Sequence, residues 1–246
     1  MIIRVLALCA ALAAAAPAAD QSAGAAAHWD GTIHVTPPGQ PAQDAPLVVD
    51  LDHNASGGWK GSVDVGPRIK GLPLGNITVN GLTVHFTIQN MPGNPSFDGT
   101  LSPDGKTLSG QATQAGQSTT FTLSRAGAPK VVEAPKSTVI SGQLEGKWQG
   151  VLQPPGQTFN LVLDLAKSSD GIGNGTLTSV DQGNNKAPLS QVTQNGQHVT
   201  FAIQIIAGSF EGDLSADGTE LKGTWTQGPN SLPLTFKKAE AQATTP

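Results

Sequence analysis

The sequence predicts an all-β protein built from two tandem copies of one antiparallel β-barrel. The prediction rests on an internal repeat, on period-two alternation of apolar and polar residues, and on Asn-Gly and Asp-Gly pairs between the alternating runs. Such pairs are typical of hairpins, because both turn residues must accept a positive φ. No run after the amino terminus has helical periodicity, so strands are expected throughout.

The internal repeat relates the two halves of the chain. Trp29 matches Trp148 near the start of each copy, and 97–105 matches 210–218 without a gap. Each copy divides into about eight short alternating segments, which predicts an antiparallel meander of about eight strands. A closed barrel is favoured because closure removes exposed sheet edges, and a folded-over sandwich is the alternative.

The first residues predict export. A basic Arg4, an apolar and alanine-rich run, and small residues at Ala16 and Ala18 are typical of a secretory signal peptide cleaved after Ala18. The protein is therefore expected in the periplasm or outside the cell. Cys9, the single cysteine, lies inside this segment; a lipid-carrying cysteine is the alternative.

The repeat and the composition together predict five segments. They are a signal peptide at 1–18, a first barrel at 27–127, a linker at 128–141, a second barrel at 142–239 and a disordered tail at 240–246. The linker assignment rests on two prolines and mixed charge.

The charge balance excludes polyanion partners. Lys and Arg number 14 against 18 Asp and Glu, with no basic cluster of the kind that releases counterions from nucleic acid. No segment after the signal peptide is long and apolar enough to cross a membrane as a helix.

Glycines and aromatic residues share the inward positions of the predicted strands. The chain has seven Phe, four Trp and no Tyr, and all eleven rings fall on the inward register. Glycines recur beside them, either because a small barrel must curve or because missing side chains leave room for one apolar ligand. The residues predicted to line such a pocket are Trp29, Trp59, Phe86, Phe97, Trp148, Phe201, Phe210, Gly223 and Trp225.

The motifs of common catalytic and metal sites are missing from the sequence. It contains no Gly-x-Ser-x-Gly, and the five histidines do not pair at ligand spacing, except for the candidate pair His28 and His34. The run 50–54 resembles the start of a calcium loop, but Ala55 and Gly61 replace the required Gly and Glu. Asp50 and Asp52 are instead predicted on the polar side of a strand, and no enzyme, cofactor or metal is expected.

The second copy resembles a known class of domain. Its runs Ser-Val-Asp-Gln-Gly at 179–183, Gly-Thr-Trp-Thr-Gln-Gly at 223–228 and Leu-Pro-Leu at 232–234 are similar to a domain of roughly 100 residues that precedes the catalytic domain of many secreted bacterial serine hydrolases. The likeness covers 142–239 and implies a non-catalytic accessory module. The first copy fits more loosely, with Ala112 in place of the tryptophan, and these 246 residues include no hydrolase motif.

A weaker resemblance concerns the barrel type. Gly146-Lys147-Trp148 looks like the Gly-x-Trp of a first strand in the lipocalin and avidin superfamily, whereas the first copy has Ala27 in place of the glycine. Together these features predict an exported binding module for a small apolar ligand or a protein partner. The alternative is an interaction protein with packed, ligand-free barrels.

Overall fold

The computed structural model describes residues 24–36 and 41–239. The predicted signal peptide at 1–18 and the predicted tail at 240–246 lie outside the described residues. Within them the fold is all-β, as predicted, and a short 3-10 turn at Gln204–Ile206 lies between two late strands.

The first repeat is a closed barrel of eight antiparallel strands in sequence order, as predicted. The last strand returns to the first over 28–33, which closes the ring. The strands are β1 (Ala27–Val35), β2 (Gln43–His53), β3 (Trp59–Val65), β4 (Ile69–Asn80), β5 (Thr83–Ile88), β6 (Ser96–Leu101), β7 (Thr107–Gln114) and β8 (Gln117–Gly127).

The second repeat differs from the predicted eight-stranded closed barrel. It is a curled sheet of nine strands in the order β12-β11-β10-β9-β17-β16-β15-β14-β13, so β12 and β13 are its edges. The strands are β9 (Gly146–Leu152), β10 (Phe159–Lys167), β11 (Gly173–Ser179), β12 (Asn185–Pro188), β13 (Gln191–Asn195), β14 (His198–Ile203), β15 (Gly208–Leu214), β16 (Glu220–Gln227) and β17 (Asn230–Lys238).

The extra strand arises because one long strand is broken in the second repeat. In the first repeat β4 pairs with both of its neighbours along one continuous strand. In the second repeat Leu189 donates its N–H to Gly175 O at 2.9 Å, and the next residue, Ser190, donates to Ala202 O at 2.8 Å. Two consecutive residues thus bond to opposite neighbours, which ends β12 and starts β13 while drawing the two edges together.

The predicted linker is held against both repeats. Lys130 donates its N–H to Asp50 Oδ1 at 2.7 Å, and Val132 donates to Ser62 Oγ at 3.0 Å on the outside of the first barrel. Further along, Thr138 donates its N–H to Val192 O at 3.0 Å and accepts from the N–H of Gly173 at 2.9 Å. The segment therefore bridges β11 and β13. We call 130–141 the strap.

Asp50 lies on the outer side of its strand, as predicted, but the strap covers it. Only 6% of its surface is exposed, and it accepts a second hydrogen bond from His28 Nδ1 at 2.8 Å. A buried carboxylate needs such partners, because desolvation without hydrogen bonds is costly. Asp50 is therefore a structural residue that fixes the strap.

A tryptophan fills one end of each repeat in the same way. Trp29 Nε1 donates to Ala25 O at 3.0 Å, and Trp148 Nε1 donates to Leu144 O at 2.9 Å. A cation from the last strand covers each ring: Arg125 at 4.7 Å and Lys238 at 5.2 Å from the ring centres. The same arrangement therefore recurs at equivalent positions of the two copies.

Candidate interaction surface

Seven of the nine residues predicted to line an interior pocket are packed into the two cores. Phe86 stacks on Phe97 with ring centres 4.8 Å apart, and the second repeat repeats this pair at 4.9 Å with Phe201 and Phe210. None of these rings is more than 2% exposed, and Trp29 and Trp148 are fully buried. Filled interiors of this kind are typical of small barrels.

Trp225 is the seventh of these core residues, whereas Gly223 and Trp59 have different positions. A Cβ built on Gly223 would overlap Glu211 O, because Gly223 lies directly opposite Gly212 and the two strands approach closely. Trp225 is 4% exposed and lies 6.3 Å from the Phe201 ring. Trp59 is only half buried and packs on His53 at 4.2 Å. The missing side chain of Gly223 thus allows β15 and β16 to approach each other closely, in agreement with the interpretation that the glycines let a small barrel curve.

A groove on the outer surface of the second repeat has a volume of about 610 Å³. None of the nine predicted residues lines it. Its walls are formed by outward side chains of β9, β10 and β17 and by the start of the turn after β11. Its apolar members include Val151, Val162, Val180 and Pro233. We call it the fork groove.

The groove exists because β9 and β17 separate. They pair only over 236–238 against 148–150, whereas the equivalent strands β1 and β8 of the first repeat stay paired from His28 to Ile33. No register pair in the described part of the chain joins Val151 or Leu152 to β17.

Pro233 gives a physical reason for this separation. Ala239 donates its N–H to Lys147 O, and Lys238 donates to Thr219 O on the opposite side. Hydrogen-bonding directions alternate along a strand, so odd-numbered residues of β17 face β9. Beyond Thr235 the next residue of β17 that faces β9 is Pro233, which has no N–H, and proline is confined to such unpaired edges. The ladder therefore cannot continue past Thr235.

Two apolar residues of the fork groove, Val151 and Pro233, have no apolar equivalent in the first repeat. Val151 is 46% exposed and Val180 39% exposed. The repeat alignment places Thr32 opposite Val151 and Thr120 opposite Pro233. The fold therefore does not require apolar side chains here, since the first repeat forms the same strands with threonine. Exposed apolar patches that folding does not explain are typical of interaction sites.

One wall of the groove is fixed by hydrogen bonds. Val180 donates its N–H to Asn160 O at 2.9 Å, and Asn160 in turn donates its backbone N–H to Asp181 Oδ2 at 2.5 Å. Hydrogen bonds from Asn160 hold the pKa of the exposed Asp181 carboxyl below its usual value. The bond from the Asn160 backbone N–H has the larger effect, and the bond from its side-chain amide has the smaller one. The turn carrying Val180 is thereby anchored to β10, which gives the groove a defined shape.

Two features of the sequence indicate the position of this groove. Pro233 interrupts an otherwise regular strand, and proline in a strand indicates an edge. Valines on the outward register of β9 and β10 are the second signal. Both 179–183 and 232–234, which carry the hydrolase-domain resemblance, contribute to the groove.

Four of the five histidines face an aspartate directly across a strand pair. His85 Nδ1 lies 2.7 Å from Asp98 Oδ1, and His198 Nδ1 lies 3.2 Å from Asp213 Oδ1. His34 is paired with Asp44 in the same way on the surface. Residues 24–36 and 41–239 hold no group of three or more His, Cys, Asp and Glu side chains placed to share a metal ion.

Among the described residues, no helix has the length and apolar character needed to cross a membrane.

Comparisons with known proteins give distant structural neighbours. No protein-family description matches the chain, and no curated protein matches it significantly. A Bacteroides fragilis protein provisionally assigned to the outer membrane aligns over 90% of this chain and all of its own, at 13% identity and a TM-score of 0.31. A protein of unknown function from the DUF3598 family of Nostoc punctiforme aligns over 89% of this chain and 98% of its own, at 11% identity and a TM-score of 0.27. MucB in complex with periplasmic MucA covers 90% and 92%, at 11% identity and a TM-score of 0.21.

Proposed function

We propose that this chain is an exported, non-catalytic interaction module that binds an extended segment of a partner protein in the fork groove. One observation carries the proposal: β9 and β17 have no register pair beyond Gly150 and Phe236, next to the exposed Val151 and Val180. An extended peptide can add to a free strand edge through its main chain, while adjacent pockets select its alternate side chains.

The chemistry of the groove supports a peptide of defined pattern. Val151 and Val180 offer apolar contacts, and Gln149, Asn160 and Lys237 supply polar groups at the rim. An apolar centre with a polar rim is the usual composition of protein interfaces. The expected partner segment therefore alternates apolar residues, which face the valines, with polar residues, which face solvent.

The packed cores favour this surface over an interior ligand site. The stacked phenylalanines and fully buried tryptophans occupy the space that an apolar ligand would need. The proposal therefore adopts the packed, interaction-protein alternative of the sequence analysis. Small-ligand binding inside a barrel becomes an outcome that the experiment below would reveal.

The setting of the module is part of the same proposal. The amino-terminal pattern supports export to the periplasm or beyond, and the resemblance of 142–239 to hydrolase-associated domains supports an accessory role beside a secreted hydrolase. The Gly-x-Trp pattern and the meander order of the first repeat support barrels of lipocalin or avidin type.

Selection from a library of displayed dodecapeptides on the full chain tests the proposal. We expect enrichment of peptides with apolar residues at alternate positions. The double variant V151T/P233T places the first repeat's residues in the groove and restores an N–H on β17, so the ladder with β9 can extend. It should weaken binding of the selected peptides by about tenfold or more.

The matched control is Thr32→Val, which changes the equivalent strand position in the first repeat and should leave affinity unchanged. Selected peptides that bind wild type and V151T/P233T equally well would overturn the assignment of the groove. An apolar small molecule that displaces them while Phe201→Leu alone abolishes its binding would favour an interior site instead.

A further inference from the structure

The strap crosses the outer face of the first repeat over a row of three polar side chains. Asp50 lies directly across from His28 on β1 and from Ser62 on β3. The strap donates backbone N–H groups to two of the three, from Lys130 to Asp50 and from Val132 to Ser62. Asp50 and Ser62 are buried beneath it. The row is therefore a docking site for an extended segment.

The second repeat carries the same row on its outer face. The repeat alignment places Asp164 opposite Asp50 and Lys147 opposite His28. Asp164 lies directly across from Lys147 on β9 and from Thr176 on β11. Lys147 Nζ donates to Asp164 Oδ2, and the other carboxylate oxygen can accept a further bond. The Asp164 side chain is 46% exposed, compared with 9% for Asp50, so this second row is open to solvent in the described part of the chain.

The sequences that follow the two repeats are also related. The alignment of the closing strands continues beyond them without a gap. It matches Ala-Gly-Ala-Pro-Lys-Val-Val at 126–132 with Ala-Glu-Ala-Gln-Ala-Thr-Thr at 239–245. Two alanines are identical, and a pair of β-branched residues ends both runs. In this alignment Ala243 corresponds to Lys130, the residue whose N–H bonds to Asp50.

The chain leaves both repeats at equivalent places. Gly127 is the last residue of β8 to pair with β1, and Ala239 donates its N–H to Lys147 O at 2.8 Å. Each repeat therefore ends beside its own polar row. The chain from Ala239 to Ala243 spans up to roughly 13 Å when extended. Crossing β9 to reach Asp164 on β10 requires about 10 Å, or two strand spacings, so the segment is long enough.

From these equivalences we propose that residues 240–246, which lie outside the described residues, dock on the row of Lys147, Asp164 and Thr176 of the same chain as a second strap. The Ala243 N–H donates to the Asp164 carboxylate. This carboxylate then has two donors, as the covered aspartate of the first repeat has. Hydrogen bonds to an ionised acceptor are stronger than those between neutral groups, which favours docking at this place.

The second strap borders the fork groove. Val162 lines the groove and lies two residues from Asp164 on the same face of β10. The segment 240–246 therefore passes the end of the groove where β9 and β17 remain paired. Its docking does not require a peptide in the groove, so this proposal and the proposed function hold or fail separately.

Amide hydrogen exchange of the full chain, followed by NMR, tests the second strap. We expect the Ala243 amide to exchange about tenfold or more slowly than the same amide in a free peptide of residues 239–246. Asp164→Ala should remove this protection, because the acceptor is lost. Lys147→Met is the matched control: it removes the other partner of Asp164 but keeps the carboxylate, so the protection should persist.

The Lys130 amide, measured with and without Asp50→Ala, is the positive control in the first repeat. Thermal unfolding should show that Asp164→Ala stays folded, because an exposed ion pair contributes little to stability. An Ala243 amide that exchanges as fast as in the free peptide, or that stays protected in Asp164→Ala, would overturn the proposal. Protection that increases with protein concentration would place the segment on a second copy and would overturn it as well.

Discussion

Asp50 and Lys130, 80 residues apart in sequence, are joined by a hydrogen bond of 2.7 Å from the Lys130 N–H to the Asp50 carboxylate. The bond lies where the strap crosses the outside of β2 and β3. The neighbouring bond from Val132 to Ser62 continues the same contact. A segment that its composition identifies as a linker is therefore attached to the first barrel by hydrogen bonds at Lys130 and Val132.

Asp50→Ala should lower the free energy of unfolding by about 1–3 kcal/mol, because it leaves two donors without their acceptor in a buried place. Asp44→Ala is the control, since Asp44 also faces a histidine across β1 and β2 but is exposed. That change should cost less than about 0.5 kcal/mol. Urea unfolding measures both, and equal losses would show that the strap contact contributes nothing.

A fragment of residues 136–239 should be more stable than one of 142–239. The longer fragment keeps Thr138, which bonds to both β11 and β13, and Ile140, which is 3% exposed in the core of the second repeat. Loss of a buried isoleucine costs about 2–5 kcal/mol, so the shorter fragment should melt earlier or fail to fold. Coincident melting curves for the two fragments would contradict this role of the strap.

Gly223→Ala should destabilise the second repeat by about 1–3 kcal/mol, because its Cβ would overlap Glu211 O on the adjacent strand. Gly142→Ala is the control, since its nearest neighbour is Lys167 Nζ at 3.8 Å. That change should be neutral or slightly stabilising. If Gly223→Ala is tolerated without loss in chemical unfolding, the close strand approach is not a constraint.

The free energy of unfolding should fall at acid pH because of Asp104 and Asp217, which occupy equivalent turns of the two repeats. Hydrogen bonds from Ser215 and then Thr219 hold the pKa of Asp217 below its usual 3.8, and Ser102 and Lys106 act likewise on Asp104. Because both folded-state pKa values are lowered, the stabilisation is complete above the unfolded pKa and is lost as pH falls through the folded pKa.

Asp217→Asn should therefore make the free energy of unfolding less dependent on pH below 3.8. Ser215→Ala removes the largest cause of the shift and should act in the same direction. Urea unfolding at a series of pH values measures this, and an unchanged slope in both variants would contradict the account.

The repeat, the strand class and the inward aromatic register were predictable because each is a local pattern. The alternation that places Phe201 and Phe210 inward is visible in sequence, and their stacking follows from direct pairing across β14 and β15. The closed form of the first barrel followed from the same reasoning.

The remaining features depend on distant contacts that a local pattern does not specify. The break at Leu189 and Ser190 depends on which neighbours their N–H groups reach, and the strap depends on buried Asp50 and Ser62. The fork groove could have been inferred in part from Pro233, but its depth depends on how far β9 and β17 separate.

The central claim is that β17 has a free edge at the fork groove that a partner strand can occupy. Amide hydrogen exchange at Thr235, compared with the equivalent Thr122, tests it most directly. Thr122 pairs with Thr32 in the closed barrel, whereas Thr235 has no register partner on β9. We predict exchange about tenfold or more faster at Thr235 in the free protein, and slowing by a similar factor when a selected peptide is bound. Equal protection of the two amides in the free protein, or no slowing at Thr235 on binding, would contradict the account.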